Sequence, residues 1–159
     1  MILLKKQICT VYTDGSHSID PKYPYNAGWA CVFTNGSETE IAYSHGNVKT
    51  TRCSELSAIH LALSLASECQ RMVIKCDDQW LVEKLKERLC RGNISTVNNS
   101  LKGYQKLLED VLALSLKRSI SFEWVKGHDH DQYNIIADAL AAKARIKSIS
   151  RVPKLFIAE

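Results

Sequence analysis

The fold is decided first by residues 8–16, which read ICTVYTDGS. Ile8 to Thr13 are mainly β-branched or aromatic, a composition that is typical of a β-strand. Asp14 follows at the predicted end of this strand and opens a short Asp-Gly-Ser run. The segment therefore predicts a first strand that ends in a carboxylate.

Two more strand-like segments follow, at residues 27–34 and 39–44, on either side of an Asn35-Gly36 dipeptide. Asn-Gly favours the tight backbone turn of a β-hairpin. The first three strands are therefore predicted to form an antiparallel meander.

The hydrophobic period changes to that of a helix from about Arg52, and the helical pattern continues to about Ser67. The later elements are predicted as a strand, two helices, a strand and a closing helix, at residues 72–76, 81–92, 104–112, 120–125 and 135–146. This order predicts an α/β fold. Its five-stranded mixed sheet combines a three-stranded antiparallel meander with parallel strands, and helices flank the sheet.

Length and composition suit one globular domain, since the chain has 159 residues, of which 45% are hydrophobic and 24% charged. We expect a single domain over 1–159, with its core at about 8–147 and a C-terminal tail at 148–159. The net charge of +4 is compatible with a polyanionic partner without requiring one.

No apolar stretch approaches the ~18 residues of a membrane helix, and the first residues lack the order of a secretory signal. We therefore expect no membrane partner. A cytoplasmic location is predicted, or a nuclear or mitochondrial one in a eukaryote, without secretion.

Six cysteines are spread along the chain without a C-x-x-C pair, and several lie in apolar runs. Free buried thiols are the expected state, in preference to a disulfide framework or a zinc site. The six are Cys9, Cys31, Cys53, Cys69, Cys76 and Cys90.

Four acidic residues stand where the predicted elements make acids unexpected. Asp14 and Asp77 end strands, Glu55 lies in the first turn of a helix, and Asp138 lies inside the apolar closing helix. Each has an ordinary explanation. Asp14 could belong to a turn, and Asp77 could cap the helix that follows it. Glu55 could complement the charge of a helix N-terminus, and Asp138 could face solvent. The strand ends favour a functional interpretation, because parallel strands that finish at one sheet edge bring their terminal carboxylates together.

Carboxylates held together repel one another unless a cation neutralises them, and such oxygen ligands suit Mg²⁺ or Mn²⁺. Two ions roughly 3.5–4 Å apart are the usual device for displacement at phosphorus, one activating water and the other stabilising the leaving oxygen. The acidic cluster therefore predicts a metal-dependent phosphodiester site in a basic protein.

Four motifs follow one another along the chain. They are Tyr-Thr-Asp-Gly-Ser at 12–16, Arg-Cys-Ser-Glu-Leu-Ser-Ala-Ile at 52–59, Cys-Asp-Asp-Gln-Trp-Leu at 76–81, and Trp-Val-Lys-Gly-His at 124–128 followed by Ala-Asp-Ala-Leu-Ala at 137–141. In order and spacing, from about residue 8 to 145, they resemble the type 1 ribonuclease H family. The resemblance implies a ribonuclease H-like fold and a monomeric endonuclease that hydrolyses the RNA strand of RNA/DNA hybrids. It also implies two Mg²⁺ ions, for which Mn²⁺ can substitute, and products with 3′-hydroxyl and 5′-phosphate ends.

The resemblance also assigns roles to residues. The positions that match the family's metal-binding catalytic carboxylates are Asp14, Glu55, Asp77 and Asp138. His128 matches a mobile histidine that is used in proton handling or product release. Asp78 lies beside the site, but the family motif places the ligand at the first acid of the pair.

Substrate contacts are implied in the same way. Thr50 and Asn99 lie where the family forms a pocket for a DNA-strand phosphate, and Gln79 matches a residue that reaches the minor groove. Backbone groups near Gly15 and Glu55 are expected to read the 2′-hydroxyl that marks the RNA strand. The predicted substrate-binding residues are Gly15, Ser16, Thr50, Thr51, Arg52, Gln79 and Asn99.

Two features depart from the family pattern. Thr51 and Arg52 stand where polar amides are common, and no tryptophan occurs between Trp80 and Trp124 in the region that forms a basic protrusion in many members. The basic residues of that region are Lys84, Lys86, Arg88 and Arg91. They are expected either to contact phosphates or to form a solvated helix face with interleaved glutamates.

Three other interpretations stay open. The run from His128 to Asp131 suits a His-Asp phosphohydrolase, although these residues lie in one predicted loop. A transposase or integrase core shares the sheet-edge carboxylates, yet it would not normally carry Trp-Val-Lys-Gly-His. A catalytically inactive hybrid-binding or structural module of a retroelement polyprotein would be marked by the loss of carboxylates, and all four are present. The choice between a free-standing cellular enzyme and a reverse transcriptase domain also stays open.

Overall fold

Six strands form one mixed sheet in the computed structural model, which describes residues 8–20, 22–92, 103–127 and 131–146 and the backbone of 154–158. In chain order the strands are β1 Ile8–His17, β2 Ala27–Thr34, β3 Thr39–Gly46, β4 Arg71–Cys76, β5 Ser119–Trp124 and β6 Lys154–Ala158. The helices of the described residues are α1 Thr51–Leu65, α2 Gln79–Arg91, α3 Gly103–Leu116 and α4 Gln132–Ile146. The strands lie in the order β5-β4-β1-β2-β3-β6.

The predicted meander and parallel strands are both confirmed. β1 pairs antiparallel with β2, and β2 pairs antiparallel with β3. β4 lies parallel to β1, and β5 lies parallel to β4. The turn between β2 and β3 contains Gly36 with a φ of 96°, and the side chain of Asn35 accepts a hydrogen bond from the backbone nitrogen of Glu38 at 2.8 Å. Asn-Gly therefore forms the tight connection expected of it.

A sixth strand lies within residues 148–159, the stretch that was expected to be a C-terminal tail. β6 pairs antiparallel with β3, from Thr39 opposite Ala158 to Tyr43 opposite Lys154. The sequence Lys-Leu-Phe-Ile-Ala has four consecutive apolar residues and no alternation of polar and apolar residues, and such a run does not by itself distinguish a strand from a buried helical segment.

Helices cover both faces of the sheet. α1 and α3 pack on one face, where the buried core contains Phe33, Leu56, Ile59 and Ile74. α4 packs on the other face against β1 and β2, where a smaller buried group includes Tyr12. Among the helices that the structure describes, none is both long and apolar enough to cross a lipid bilayer.

The cysteines differ in part from the expectation of free thiols. Cys9 at the start of β1 and Cys69 in the connection between α1 and β4 form a disulfide, with their Cα atoms 6.6 Å apart. Both cysteines are buried. Their apolar surroundings led to the expectation of free thiols, but the fold places the two sulfurs next to each other in the core. The other four are free, as expected, and are Cys31, Cys53, Cys76 and Cys90.

Candidate metal centre

Two of the predicted carboxylates lie side by side because of the register between β1 and β4. The last parallel pair joins Thr13 to Cys76, so Asp14 and Asp77 come next on neighbouring strands, which lie ~4.8 Å apart in a sheet. β1 itself continues to His17 by pairing with β2, past its predicted end. Asp14 therefore lies within β1, at the point where its pairing with β4 stops.

Glu55 reaches the same point from α1, which lies directly against β1 at Gly15. A Cβ atom at Gly15 would stand 2.3 Å from the carbonyl carbon of Ser54 and 2.4 Å from the backbone nitrogen of Glu55. Only glycine allows this approach. α1 begins at Thr51, so Glu55 lies in the second helical turn and the prediction of the first turn is wrong. Its place is therefore set by close helix-strand packing.

Asp14 is the most constrained carboxylate of the group, with only 3% of the residue exposed. Its Oδ1 accepts a hydrogen bond from the backbone nitrogen of Gly15 at 2.9 Å, whereas Oδ2 has no hydrogen-bond partner among the described residues. Burial and then the charge of Asp77 raise the pKa of Asp14 to about 8. Burial and the charge of Asp14 likewise raise the pKa of Glu55 well above its ordinary value. Without a cation, the site is too crowded with negative charge to ionise fully.

The fourth predicted carboxylate comes from α4 on the other face of the sheet. Asp138 is exposed, and its negative charge adds to the burial and the Asp77 charge that raise the pKa of Asp14. Near Asp77, a Cβ atom at Gly127 would stand 3.1 Å from the carboxylate oxygen Oδ2. The loop after β5 therefore closes tightly over this acid. The four carboxylates come together from β1, α1, the end of β4 and α4.

The donor set fits a divalent cation. One ligand atom from each of Glu55, Cys76 and Asp77 lies within 4.8 Å of the others. Asp14 is near enough for its charge to act on Glu55 and for the Asp77 charge to act on it, and its Oδ2 is unpartnered among the described residues. Carboxylate oxygens are the donors that Mg²⁺ and similar hard cations prefer. Burial and then mutual repulsion raise the carboxyl pKa values, and a bound cation would stabilise the ionised carboxylates against both.

Cys76 is a neighbour of the cluster that the sequence analysis did not single out. Its thiol donates to Oε2 of Glu55 at 3.9 Å, and burial raises its pKa well above the ordinary value. The thiol therefore stays protonated and positions Glu55. Its place directly before Asp77, at the end of β4, was the available signal.

Some of the predicted substrate-binding residues are exposed, and others make contacts within the protein. Thr50 and Thr51 are exposed at the start of α1, where the Thr50 side chain caps the helix by accepting from the backbone nitrogen of Cys53 at 3.1 Å. Gly15 packs against α1, and Ser16 accepts a hydrogen bond from Arg145 at 3.2 Å. The Thr50 hydroxyl can still donate to a ligand while it accepts from the helix.

Arg52 lies in a small cluster of its own beside the carboxylates. Its Nε donates to Oδ2 of Asp78 at 3.0 Å, and its guanidinium lies 4.1 Å from the ring centroid of Trp80. Asp78 also caps α2, because it accepts from the backbone nitrogen of Leu81 at 3.0 Å. Gln79, the first residue of α2, is exposed next to this cluster. Asp78 thus has a structural role, and Arg52 is neutralised by it.

Two predicted site residues, His128 and Asn99, lie outside the described residues, and their roles stay predictions. Asp131 accepts from the backbone nitrogens of Tyr133 and Asn134 at 3.0 and 3.3 Å and so caps the start of α4. Asp131 belongs to the run 128–131 that suggested a His-Asp phosphohydrolase. Its capping role explains this residue without a metal site.

Two of the four basic residues of α2, Arg88 and Arg91, form ion pairs within the protein. Arg88 pairs with Glu109 of α3 at 2.5 Å, and their side chains are only 14% and 10% exposed. Arg91 pairs with Glu87 one turn earlier at 3.1 Å. The phosphate-contact alternative is therefore wrong for Arg88, which ties α2 to α3, and Arg91 fits the solvated-face alternative.

Comparison with known proteins identifies the family of this chain. The RNase H family model matches residues 6–146. The chain is 29% identical to a Ribonuclease H of Anaplasma marginale over 97% of this chain and 100% of the relative, and 31% identical to that of Xanthomonas euvesicatoria over 86% and 91%. The fold is similar to the solved structure of LC11-RNase H1 in complex with RNA/DNA hybrid, at a TM-score of 0.64 and 19% identity, over 89% of this chain and 99% of that one. The chain therefore belongs to the RNase H family of endoribonucleases.

Proposed function

We propose that this protein hydrolyses the RNA strand of an RNA/DNA hybrid by a two-metal-ion mechanism. The observation that carries the proposal is the convergence of four carboxylates around the buried, unpartnered Oδ2 of Asp14. Family membership and the hybrid bound by the LC11 enzyme favour this substrate over other phosphodiesters. All four carboxylates come from one chain, so the proposed site is complete without a second copy, and we propose that the enzyme acts as a monomer.

Mg²⁺ is the cofactor in this proposal, with Mn²⁺ as a substitute. Asp14, Glu55, Asp77 and Asp138 would hold the two ions. The bound ions supply Lewis-acid chemistry, which activates water and stabilises the leaving 3′ oxygen. Cleavage would leave 3′-hydroxyl and 5′-phosphate ends.

The remaining residues orient the hybrid. Gly15 and the backbone at Glu55 meet in close contact at the edge of the cluster, where a side chain cannot intrude. Their polar backbone groups would stand beside the 2′-hydroxyl of the cleaved strand, which is the group that distinguishes RNA from DNA. Thr50, at the exposed start of α1, would contact a phosphate of the DNA strand.

The test is digestion of an end-labelled RNA/DNA hybrid with Mg²⁺, beside RNA/RNA and DNA/DNA duplexes of the same sequence. We expect cleavage of the RNA strand of the hybrid alone, its loss in chelator, and its return when Mg²⁺ or Mn²⁺ is added back. Equal cleavage of RNA/RNA would overturn the substrate assignment. Tight hybrid binding without cleavage in either metal would instead support the inactive module.

A further inference from the structure

Arg145, near the C-terminal end of α4, is a charged residue that the proposed function leaves without a role. Its Nε donates to Oγ of Ser16 on β1 at 3.2 Å, and its guanidinium lies 5.6 Å from the ring centroid of Tyr23. The residue is partly buried, and it has no carboxylate partner among the described residues. Its two terminal amino groups are therefore available to an anion.

The position of Arg145 is built into the sheet beneath it. Gly28 of β2 is the register partner of Ser16. A Cβ atom at Gly28 would stand 2.2 Å from the carbonyl oxygen of Ala141 and 2.5 Å from the backbone nitrogen of Arg145. Because Gly28 has no side chain, α4 packs closely against the sheet beside Ser16. This close packing brings the guanidinium of Arg145 within hydrogen-bond distance of the serine.

Arg145 and Ser16 form a second pair next to the acidic one. Asp14 and Ser16 share a face of β1, because side chains alternate along a strand, and they lie ~7 Å apart along it. Asp138 and Arg145 are two turns apart on α4, or ~10 Å. The pair of Ser16 and Arg145 therefore lies about 7–10 Å from the pair of Asp14 and Asp138, in the same direction along both elements.

This spacing suits a nucleic acid strand. Successive phosphates of one strand are separated by a whole sugar and so lie farther apart through space than their ~3.4 Å spacing along the duplex axis, which makes ~7–10 Å correspond to one or two nucleotides. Arginine suits such a contact because its planar fork can donate two parallel hydrogen bonds to phosphate oxygens. The Ser16 bond fixes the orientation of the fork.

We propose that Arg145 binds a backbone phosphate of the cleaved strand, one or two nucleotides from the scissile phosphate at the carboxylate cluster, with Ser16 as its positioning partner. This inference rests on the proposed function. It adds a substrate contact on the opposite face of the sheet from α1, and Tyr23 covers one side of the guanidinium.

The test compares Arg145→Gln with Lys143→Gln, each in an Asp14→Asn background that prevents cleavage. Lys143 is exposed on the same helix but points about 200° away from Arg145, since successive residues are separated by ~100°. We expect hybrid affinity to fall roughly tenfold for Arg145→Gln, the value of one charge-assisted hydrogen bond. The slope of log affinity against log salt should fall by about 0.9, as for one duplex-DNA phosphate, and Lys143→Gln should change neither quantity.

A neutral methylphosphonate placed at single positions of the RNA strand locates the contact. A methylphosphonate one or two nucleotides from the cut should weaken binding by the protein that has Arg145, and it should not weaken binding by Arg145→Gln any further. Ser16→Ala, which keeps the charge but loses the orienting bond, should show a smaller loss. Thermal unfolding checks that both glutamine variants are folded. If their affinities for the hybrid are then equal, the inference is overturned, while cleavage by the unmodified protein still supports the proposed function. Absence of hybrid cleavage by the unmodified protein would count against the proposed function instead.

Discussion

Asp14 combines three properties that are costly unless a cation is bound: burial, an unpartnered oxygen and neighbouring carboxylates. We expect Asp14→Asn to lose nearly all cleavage, because an amide cannot supply the anionic ligand. The same substitution removes charge repulsion, so the metal-free variant should resist urea at least as well as the unmodified chain. Cleavage assays and urea titration in chelator measure the two effects.

A matched control for this substitution is Asp110→Asn, since Asp110 is an exposed acid on α3 that pairs with Lys106. Cleavage by this control should be unchanged. Near-normal turnover by folded Asp14→Asn in saturating Mg²⁺ would contradict the assignment of the metal ligands.

The raised pKa of Asp14 also predicts how pH affects stability. The folded protein holds this proton up to a pKa of about 8, whereas the ordinary value is 3.8. Because the folded state binds the proton more tightly, the free energy of unfolding of the metal-free protein should fall as pH rises from about 4 to about 8. Urea titration in chelator across this range measures the fall, and Mg²⁺ or Asp14→Asn should reduce it. A metal-free stability that rises over the same range would show that burial does not dominate at Asp14.

At the scale of elements, the site depends on how closely α1 approaches β1. Gly15→Ala would force a Cβ atom into the backbone of Ser54 and Glu55, and overpacking of this kind costs roughly 1–3 kcal/mol. We expect it to lower kcat as well, because Glu55 must move away from Asp14. Urea unfolding and steady-state cleavage measure the two losses.

Gly46→Ala provides the comparison for Gly15→Ala, since its Cβ would meet only the side chain of Trp29, at 2.9 Å. This control should lose some stability and keep its cleavage rate once folded. If both variants lose cleavage in proportion to stability, the approach at Gly15 has no special part in the site.

Residue patterns predicted the elements well wherever a local rule applied. Asn35-Gly36 forms the turn, the Leu81 repeat gives α2, and Gly92 ends that helix in a left-handed conformation with a φ of 64°. The rule that parallel strands end at the same edge of a sheet also predicted that Asp14 and Asp77 would lie side by side.

Contacts between distant parts of the chain could not be read from such rules. The disulfide joins residues 60 positions apart, and the pairing of Arg88 with Glu109 depends on how α2 and α3 pack. Arg145 meets Ser16 because Gly28 is small, and no local pattern connects these three positions. Sequence reasoning thus predicted the carboxylates but missed the contacts that orient their surroundings.

At the scale of the whole molecule, the disulfide between Cys9 and Cys69 closes a long segment of the chain that runs from β1 through β2 and β3 to the end of α1. A crosslink over 60 residues restricts the unfolded chain and should contribute about 4 kcal/mol to the free energy of unfolding. Urea unfolding with and without reductant measures this contribution, and the paired Cys9→Ser and Cys69→Ser variant should give the lower value in both conditions. Cys90→Ser, at an exposed free thiol, should have no effect. Equal stabilities with and without reductant would mean that the crosslink does not stabilise the fold.

β6 has a consequence for the behaviour of the protein at high concentration. It lies outside residues 6–146, which match the family, yet it covers the backbone of β3 along the edge of the sheet. An open edge strand offers unpaired N–H and C=O groups to another copy and so promotes aggregation. A chain shortened after Ile146 should therefore keep the carboxylate cluster but self-associate more strongly in analytical ultracentrifugation. The C-terminal strand would thus contribute to colloidal solubility, a property separate from catalysis, and a shortened chain that stays monomeric at the same concentrations would rule this out.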